Sequence, residues 1–233
     1  MPPQSQAGAY AHGLRLVVSV PAVVLFATAL GFGALARDGG FSFSHAVFLS
    51  AIVFALPNQV VLIDQLARGA TIAGAALAVT LTAVRLMPMT VTLVPLLRGD
   101  KPRRLLEILA VHFIAISTWI EGQRRLPAQP VALRLPFHLG VGTAMSGMML
   151  AGTIVGYLLS AGVPAIVTAA LLFMTPLYFI LSLIATSRSA MDYAAVAIGC
   201  GLSPVLYLII PGFDLLATGL VGGTLAYVMG RRR

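Results

Sequence analysis

Along the chain, apolar runs of bilayer length alternate with short polar separators. The runs fall near residues 14–35, 43–66, 71–97, 135–160, 164–186, 190–210 and 213–230, and about 20 apolar residues suffice for a helix to cross a bilayer. Turn formers and charges separate them: Arg37-Asp38-Gly39-Gly40, Ala67-Arg68-Gly69, Ser187-Arg188-Ser189 and Pro211-Gly212. The pattern predicts an all-α polytopic membrane protein of about seven transmembrane helices. One segment departs from it. Over 103–123, Glu107, His112 and Glu121 interrupt a short apolar centre, and basic clusters flank both ends.

Composition sharpens this picture. Of 233 residues, 59% are hydrophobic and only 9% charged, against roughly a quarter charged in soluble domains. A water-soluble protein of this size cannot hydrate its surface with so few charges. The mean hydropathy of +0.97 agrees. A net charge of +8 raises nucleic acid as a partner, but the basic residues cluster between and after apolar runs, at Arg98–Arg134 and Arg231–Arg233. Polytopic proteins hold such clusters on the cytoplasmic side, against anionic lipid. Membrane lipid is therefore the expected partner, and nucleic acid is not. Cys200 is alone, so no internal disulfide forms. Met1–His12 is polar and the apolar run after it exceeds a signal-peptide core, so that run reads as a first span.

The basic residues also bear on topology. If 103–123 lies at the interface or re-enters, then Arg98, Lys101, Arg103, Arg104, Arg124, Arg125 and Arg134 all stay inside, as does the C-terminal triple arginine. The resulting scheme has seven spans, the N-terminus out and the C-terminus in. Residues 1–13 form a polar tail and 14–97 a first block of three spans. A basic cytoplasmic segment over 98–134 leads to a second block over 135–210, and 211–233 holds the last span and tail. Phe54-Ala55-Leu56-Pro57 echoes Phe173-Met174-Thr175-Pro176 in the second span of each block, and Pro88 echoes Pro204 in the third. Blocks of three spans have opposite orientations, so the echo predicts inverted repeats with broken helices, an architecture of secondary transporters.

The prolines carry the candidate chemistry. Proline removes a backbone donor and clashes with the carbonyl one turn earlier, and groups freed in hydrocarbon need partners from protein or trapped water. Breaks are expected at Pro57, Pro88, Pro176 and Pro204. Asn58 and Gln59 bring amides suited to a polar cavity. Thr175-Pro176 and Ser203-Pro204 match a capping residue followed by a first helical residue, so each predicts a half-helix whose free amides face an anion. A simple kink, with Ser or Thr bonded back to a carbonyl, is the plainer alternative.

Arg85 lies mid-run in 71–97. An arginine at the bilayer centre costs from about 2.5 kcal/mol upward, so it needs a partner or water, and its planar fork suits a carboxylate. A structural pair with Asp64, or a ring of backbone carbonyls, is the alternative. Asp64 also has Arg68 one turn on in the favourable order. Asp64, Glu121 and His112 are candidates for proton or ion coupling, with His138 a further relay candidate. The four histidines show no metal-ligand spacing, and neither a phosphate-binding glycine loop nor a nucleophile elbow is present. No metal, cofactor or enzymatic activity is expected. Gly74, Ala75, Ala78, Gly152, Gly156, Gly219, Gly222 and Gly223 read as close-packing surfaces between helices.

Several of these motifs occur in a familiar order. Gly31-Phe32-Gly33, Phe54-Ala55 followed by Gln59, Ala67-x-Gly69-Ala70, the Arg85 run with its proline and basic loop, and Phe137-His138-Leu139-Gly140 ahead of Gly152 and Gly156 resemble the AzlC family, the large subunits of two-component branched-chain amino-acid exporters. The family's N-L-R-H-L-x-Y segment stands here as Ala83-Val84-Arg85-Leu86-Met87-Pro88-Met89, and its T-D-E signature as Ser117-Thr118-Trp119-Ile120-Glu121. The resemblance implies a small AzlD-type membrane subunit as partner, a bacterial inner-membrane location and export driven by a gradient. Asn58, Gln59, Arg85, Thr175 and Ser203 are the expected substrate-binding residues. The alternative is a membrane scaffold or assembly subunit that moves no solute.

Overall fold

The computed structural model describes residues 5–99, 103–160, 164–186, 190–210 and 214–231, and all the regular structure described is helical. Lys101, the separators 187–189 and Pro211-Gly212, and Arg232–Arg233 lie outside the described residues. Twelve α-helices follow in order among those described. They are α1 Gln6–Leu14, α2 Val20–Asp38, α3 Phe43–Ile52, α4 Leu56–Ala67, α5 Ile72–Ala83, α6 Leu86–Leu97, α7 Arg104–His112, α8 Ile116–Arg125, α9 Val131–Leu159, α10 Ala165–Thr186, α11 Ala190–Ile209 and α12 Asp214–Arg231.

Most helix ends fall within a few residues of the apolar runs, because polar turn residues end both. Gly40 and Gly69 each adopt φ of 78°, the left-handed turn for which glycine is the natural residue. Among the described residues, α2, α9 and Met191–Ile209 of α11 are long and apolar enough to cross a membrane. The bent pair α5–α6 makes a fourth candidate. The expected count of seven is not reached on that measure. The run 43–66 is divided into α3 and α4, and the described apolar stretches of α10 and α12 are Ala165–Met174 and Ala217–Val228.

Helix α9 is the centre of the packing. Three of its glycines meet the backbone of neighbouring helices. A Cβ on Gly140 would lie 2.1 Å from the Tyr10 carbonyl oxygen, and one on Gly156 would lie 2.1 Å from that of Leu30. One on Gly152 would lie 2.5 Å from that of Phe26. Helices α1 and α2 therefore lie directly on α9, the close approach that small residues permit in membranes. Around this contact Phe32, Phe137, Met145 and Met149 form the buried core.

Two expectations are corrected here. The polar N-terminal segment is a helix, capped by Ser5, whose hydroxyl accepts from the Gly8 amide at 3.1 Å; Ala9 and Gly13 are buried. Close packing holds for Gly152 and Gly156 but not for Gly219 and Gly223, where an added Cβ meets nothing within 4 Å.

The prolines behave in two ways. At Pro57 the helix is broken: Val53–Ala55 runs extended and α4 starts at Leu56, with Pro57 in its first turn, where a missing amide is harmless. Near Pro88 the break falls upstream, at Val84–Arg85, and the pair bends by 48°. The Val84 carbonyl, which Pro88 cannot serve, accepts from the Met87 amide at 3.0 Å. In contrast, α11 runs unbroken through Pro204 and α10 through positions 175–176. The half-helices expected to start at Thr175-Pro176 and Ser203-Pro204 are not formed. The echo between the blocks thus has no matching backbone breaks. The third interruption lies elsewhere, at Phe113–Ala115 between α7 and α8. It turns 103–123 into two short helices, neither long enough to span alone.

Candidate functional site

Three interrupted helices meet around one cavity of about 70 Å³. Phe54, Ala55, Leu56 and Pro57 line it from the first break, Arg85, Leu86 and Met89 from the second. Ala115, Ile116 and Ser117 come from the third, and Leu25 of α2 with Met149 of α9 complete the wall. Each break is tied to the other two. Arg85 Nη2 donates to Asn58 Oδ1 at 3.2 Å, joining the second to the first. The rings of Phe54 and Phe113 meet edge to face at 6.1 Å, joining the first to the third. Trp119 Nε1 donates to Thr92 Oγ1 at 2.9 Å, joining the third to the second.

Polar side chains hold the breaks open. Gln59 is fully buried. Its amide nitrogen donates to the Val53 carbonyl, one of the groups released where α3 stops, and its oxygen accepts from the Ser50 hydroxyl at 3.4 Å. Ser50 Oγ lies 2.7 Å from Thr153 Oγ1, which reaches the Met149 carbonyl at 3.1 Å. The first break is thereby fastened to α9. At the third break no proline is present, and Thr118 does the work: its hydroxyl accepts from the Ala115 amide at 2.9 Å and donates to the Phe113 carbonyl. The ring of Phe113 sits over Gly142, where a Cβ would approach to 2.4 Å.

Arg85 is the chemical centre. Of the five N–H donors on a guanidinium, one has a hydrogen-bond partner, Asn58, and Arg85 forms no ion pair among the described residues. The structural alternative of a pair with Asp64 is excluded, since Asp64 accepts from Arg68 at 2.8 Å in an exposed i,i+4 bridge. The second halves α4, α6 and α8 all begin at the cavity, and α3, α5 and α7 end two or three residues before its lining. First-turn amides lack intrahelical partners and carry partial positive charge, as last-turn carbonyls carry negative charge. The arrangement offers an anion the amide ends and Arg85, and a cation the carbonyl ends. Leu25, Leu56, Met89 and Met149 supply an apolar wall between them.

Sequence-expected residues divide accordingly. Pro57 and Arg85 line the cavity, Asn58 and Gln59 are buried behind its lining, and Pro88 stands in the first turn of α6. Glu121 is buried but paired with Arg125 on its own helix at 2.5 Å, and His112 is exposed, edge-on to Phe113. Neither Glu121, His112 nor Asp64 lines the cavity. Ser203 sits partly exposed on α11, which packs on α12, and the Thr175 and Pro176 side chains lie outside the described residues. His138 is buried on α9 with Nε2 3.2 Å from the Ala110 carbonyl. Sequence reading missed the third break and with it Ala115, Ile116 and Ser117. The available signal was Ser117-Thr118, two hydroxyls inside an otherwise apolar stretch. No three His, Cys, Asp or Glu side chains cluster among the described residues.

The family model described as AzlC protein matches residues 21–163, a stretch that contains all three breaks and Arg85. The chain belongs to the AzlC family. This is a family associated with membrane transport rather than with enzymatic activity. No curated protein and no solved structure matches the chain. The AzlC match ends just beyond α9, so α10–α12 stand outside it.

Proposed function

We propose that this chain is an integral membrane subunit of a secondary transporter that exports small amino acids, branched-chain or similarly aliphatic, across a bacterial inner membrane. A small AzlD-type membrane subunit is its partner. The observation that carries the reading is the convergence of three helix breaks on a cavity whose one cation without an ion pair, among the described residues, is Arg85. A carboxylate fits Arg85 and the amide ends, an ammonium fits the carbonyl ends, and an aliphatic side chain fits the Leu and Met wall. Discontinuous helices at such a site follow the logic of secondary transporters. At about 70 Å³ the cavity is well below the roughly 300 Å³ of small ligand pockets, so this conformation is closed and transport requires the breaks to spread.

Flux into and out of proteoliposomes, with and without the small partner, tests the reading. Leucine and valine are the expected substrates, and leucinol, which lacks the carboxylate, is expected to be left behind. Arg85→Ala is expected to abolish efflux while the protein still inserts. Wild-type efflux from this variant would remove Arg85 from the site. The scaffold reading makes the opposite forecast: partner binding is the only function, and no solute moves in the reconstituted pair.

A further inference from the structure

Arg85 lines two spaces, not one. On the outer side of the α5–α6 elbow lies a larger hollow of about 450 Å³. Leu81, Thr82, Val84 and Pro88 form its near wall, and Gly219 and Leu220 of α12 its far wall. Among the described residues lining the inner cavity and this hollow, only Arg85 belongs to both. Its guanidinium therefore stands in the partition, held toward the inner side by the bond to Asn58.

We propose that the outer hollow is a hydrated antechamber to the inner cavity, with Arg85 as the partition and α12 as its far wall. Three observations support this. A guanidinium at mid-depth with a single neutral partner needs water or an anion beside it, and the hollow is the larger space it faces. At about 450 Å³ the hollow also falls in the size range of small-molecule sites, which the inner cavity does not. The space beside Gly219 is open, since an added Cβ there meets nothing within 4 Å. A solute carboxylate would dock on Arg85 from the outer side, and release of the Asn58 bond by the 48° elbow would admit it to the inner cavity. This deepens the transport reading and rests on it for the solute. It also gives α12, which lies outside the AzlC match, a part in the route.

Cysteine accessibility tests the proposal without measuring flux. In a Cys200→Ala background, G219C and L220C are treated in vesicles of both orientations with a charged methanethiosulfonate. Reaction of both is expected. Failure of both with the charged reagent, while lipid-permeable N-ethylmaleimide still labels them, would mean that lipid fills the hollow and would overturn the proposal. Partition is tested at the inner cavity with S117C, a near-isosteric change, and M149C as a second reporter. Charged reagent is expected to label them several-fold faster when Arg85 is also replaced by Ala, and equal rates would overturn the partition. Substrate leucine is expected to slow labelling at G219C. If the reconstituted pair moves no solute while the labelling results hold, the transport reading falls and the hydrated antechamber stands.

Discussion

Proline sits in both the α3–α6 region and the α10–α12 region, yet only the first is broken. Pro57 and Pro88 accompany interruptions, whereas Pro204 lies inside a continuous helix of 20 residues. At the breaks, substitute hydrogen bonds take up the released backbone groups. Gln59 meets the Val53 carbonyl, and Thr118 meets the groups freed at Phe113 and Ala115 without any proline at all. A break in apolar surroundings is thus set by its substitute hydrogen bonds more than by the residue that disrupts the helix.

Glycine gives the largest way to probe this contrast. Gly156→Ala forces a Cβ onto the Leu30 backbone and is expected to destabilise by about 3 kcal/mol or more, or to block folding. Gly219→Ala, in open space, is expected to stay within about 0.5 kcal/mol. Thermal aggregation of the detergent-solubilised proteins compares the two, and equal midpoints would erase the packing difference between the regions.

Next in size, Gln59→Leu removes the side-chain bonds to Val53 and Ser50, although the Val53 carbonyl keeps the Ala55 amide and Ser50 keeps Thr153. A loss of about 1 kcal/mol is expected, the net worth of a buried hydrogen bond. Thr118→Val is expected to act similarly at the third break. Denaturation in mixed micelles reads both. Values near zero would show that the breaks do not depend on these side chains. At Pro204 the sign reverses: Pro204→Ala restores an amide to α11 and is expected to stabilise. The smallest effect is expected from Pro57→Ala, within about 0.5 kcal/mol, because a first-turn amide has no helical partner to gain.

The sequence showed most helix ends, since apolar length and turn residues act locally. It also showed Pro57, Asn58 and Gln59 as a polar interruption of one run and Arg85 as a cation in the middle of the next. It misled at Thr175 and Ser203, where a capping pair looks the same whether or not the preceding turn lets go. The α7–α8 break was hidden because a threonine hydroxyl leaves a fainter trace than proline. The meeting of three breaks was not legible, for it depends on contacts such as Phe54 with Phe113 and Trp119 with Thr92, far apart along the chain.

Gly140, Gly152 and Gly156 bring α1 and α2 onto α9 main chain against main chain. Such seams have no side-chain layer that can repack as neighbours slide, so the three helices behave as a stator. Under the transport proposal, the working stroke falls to the six short rods around Arg85, whose joints are already cut.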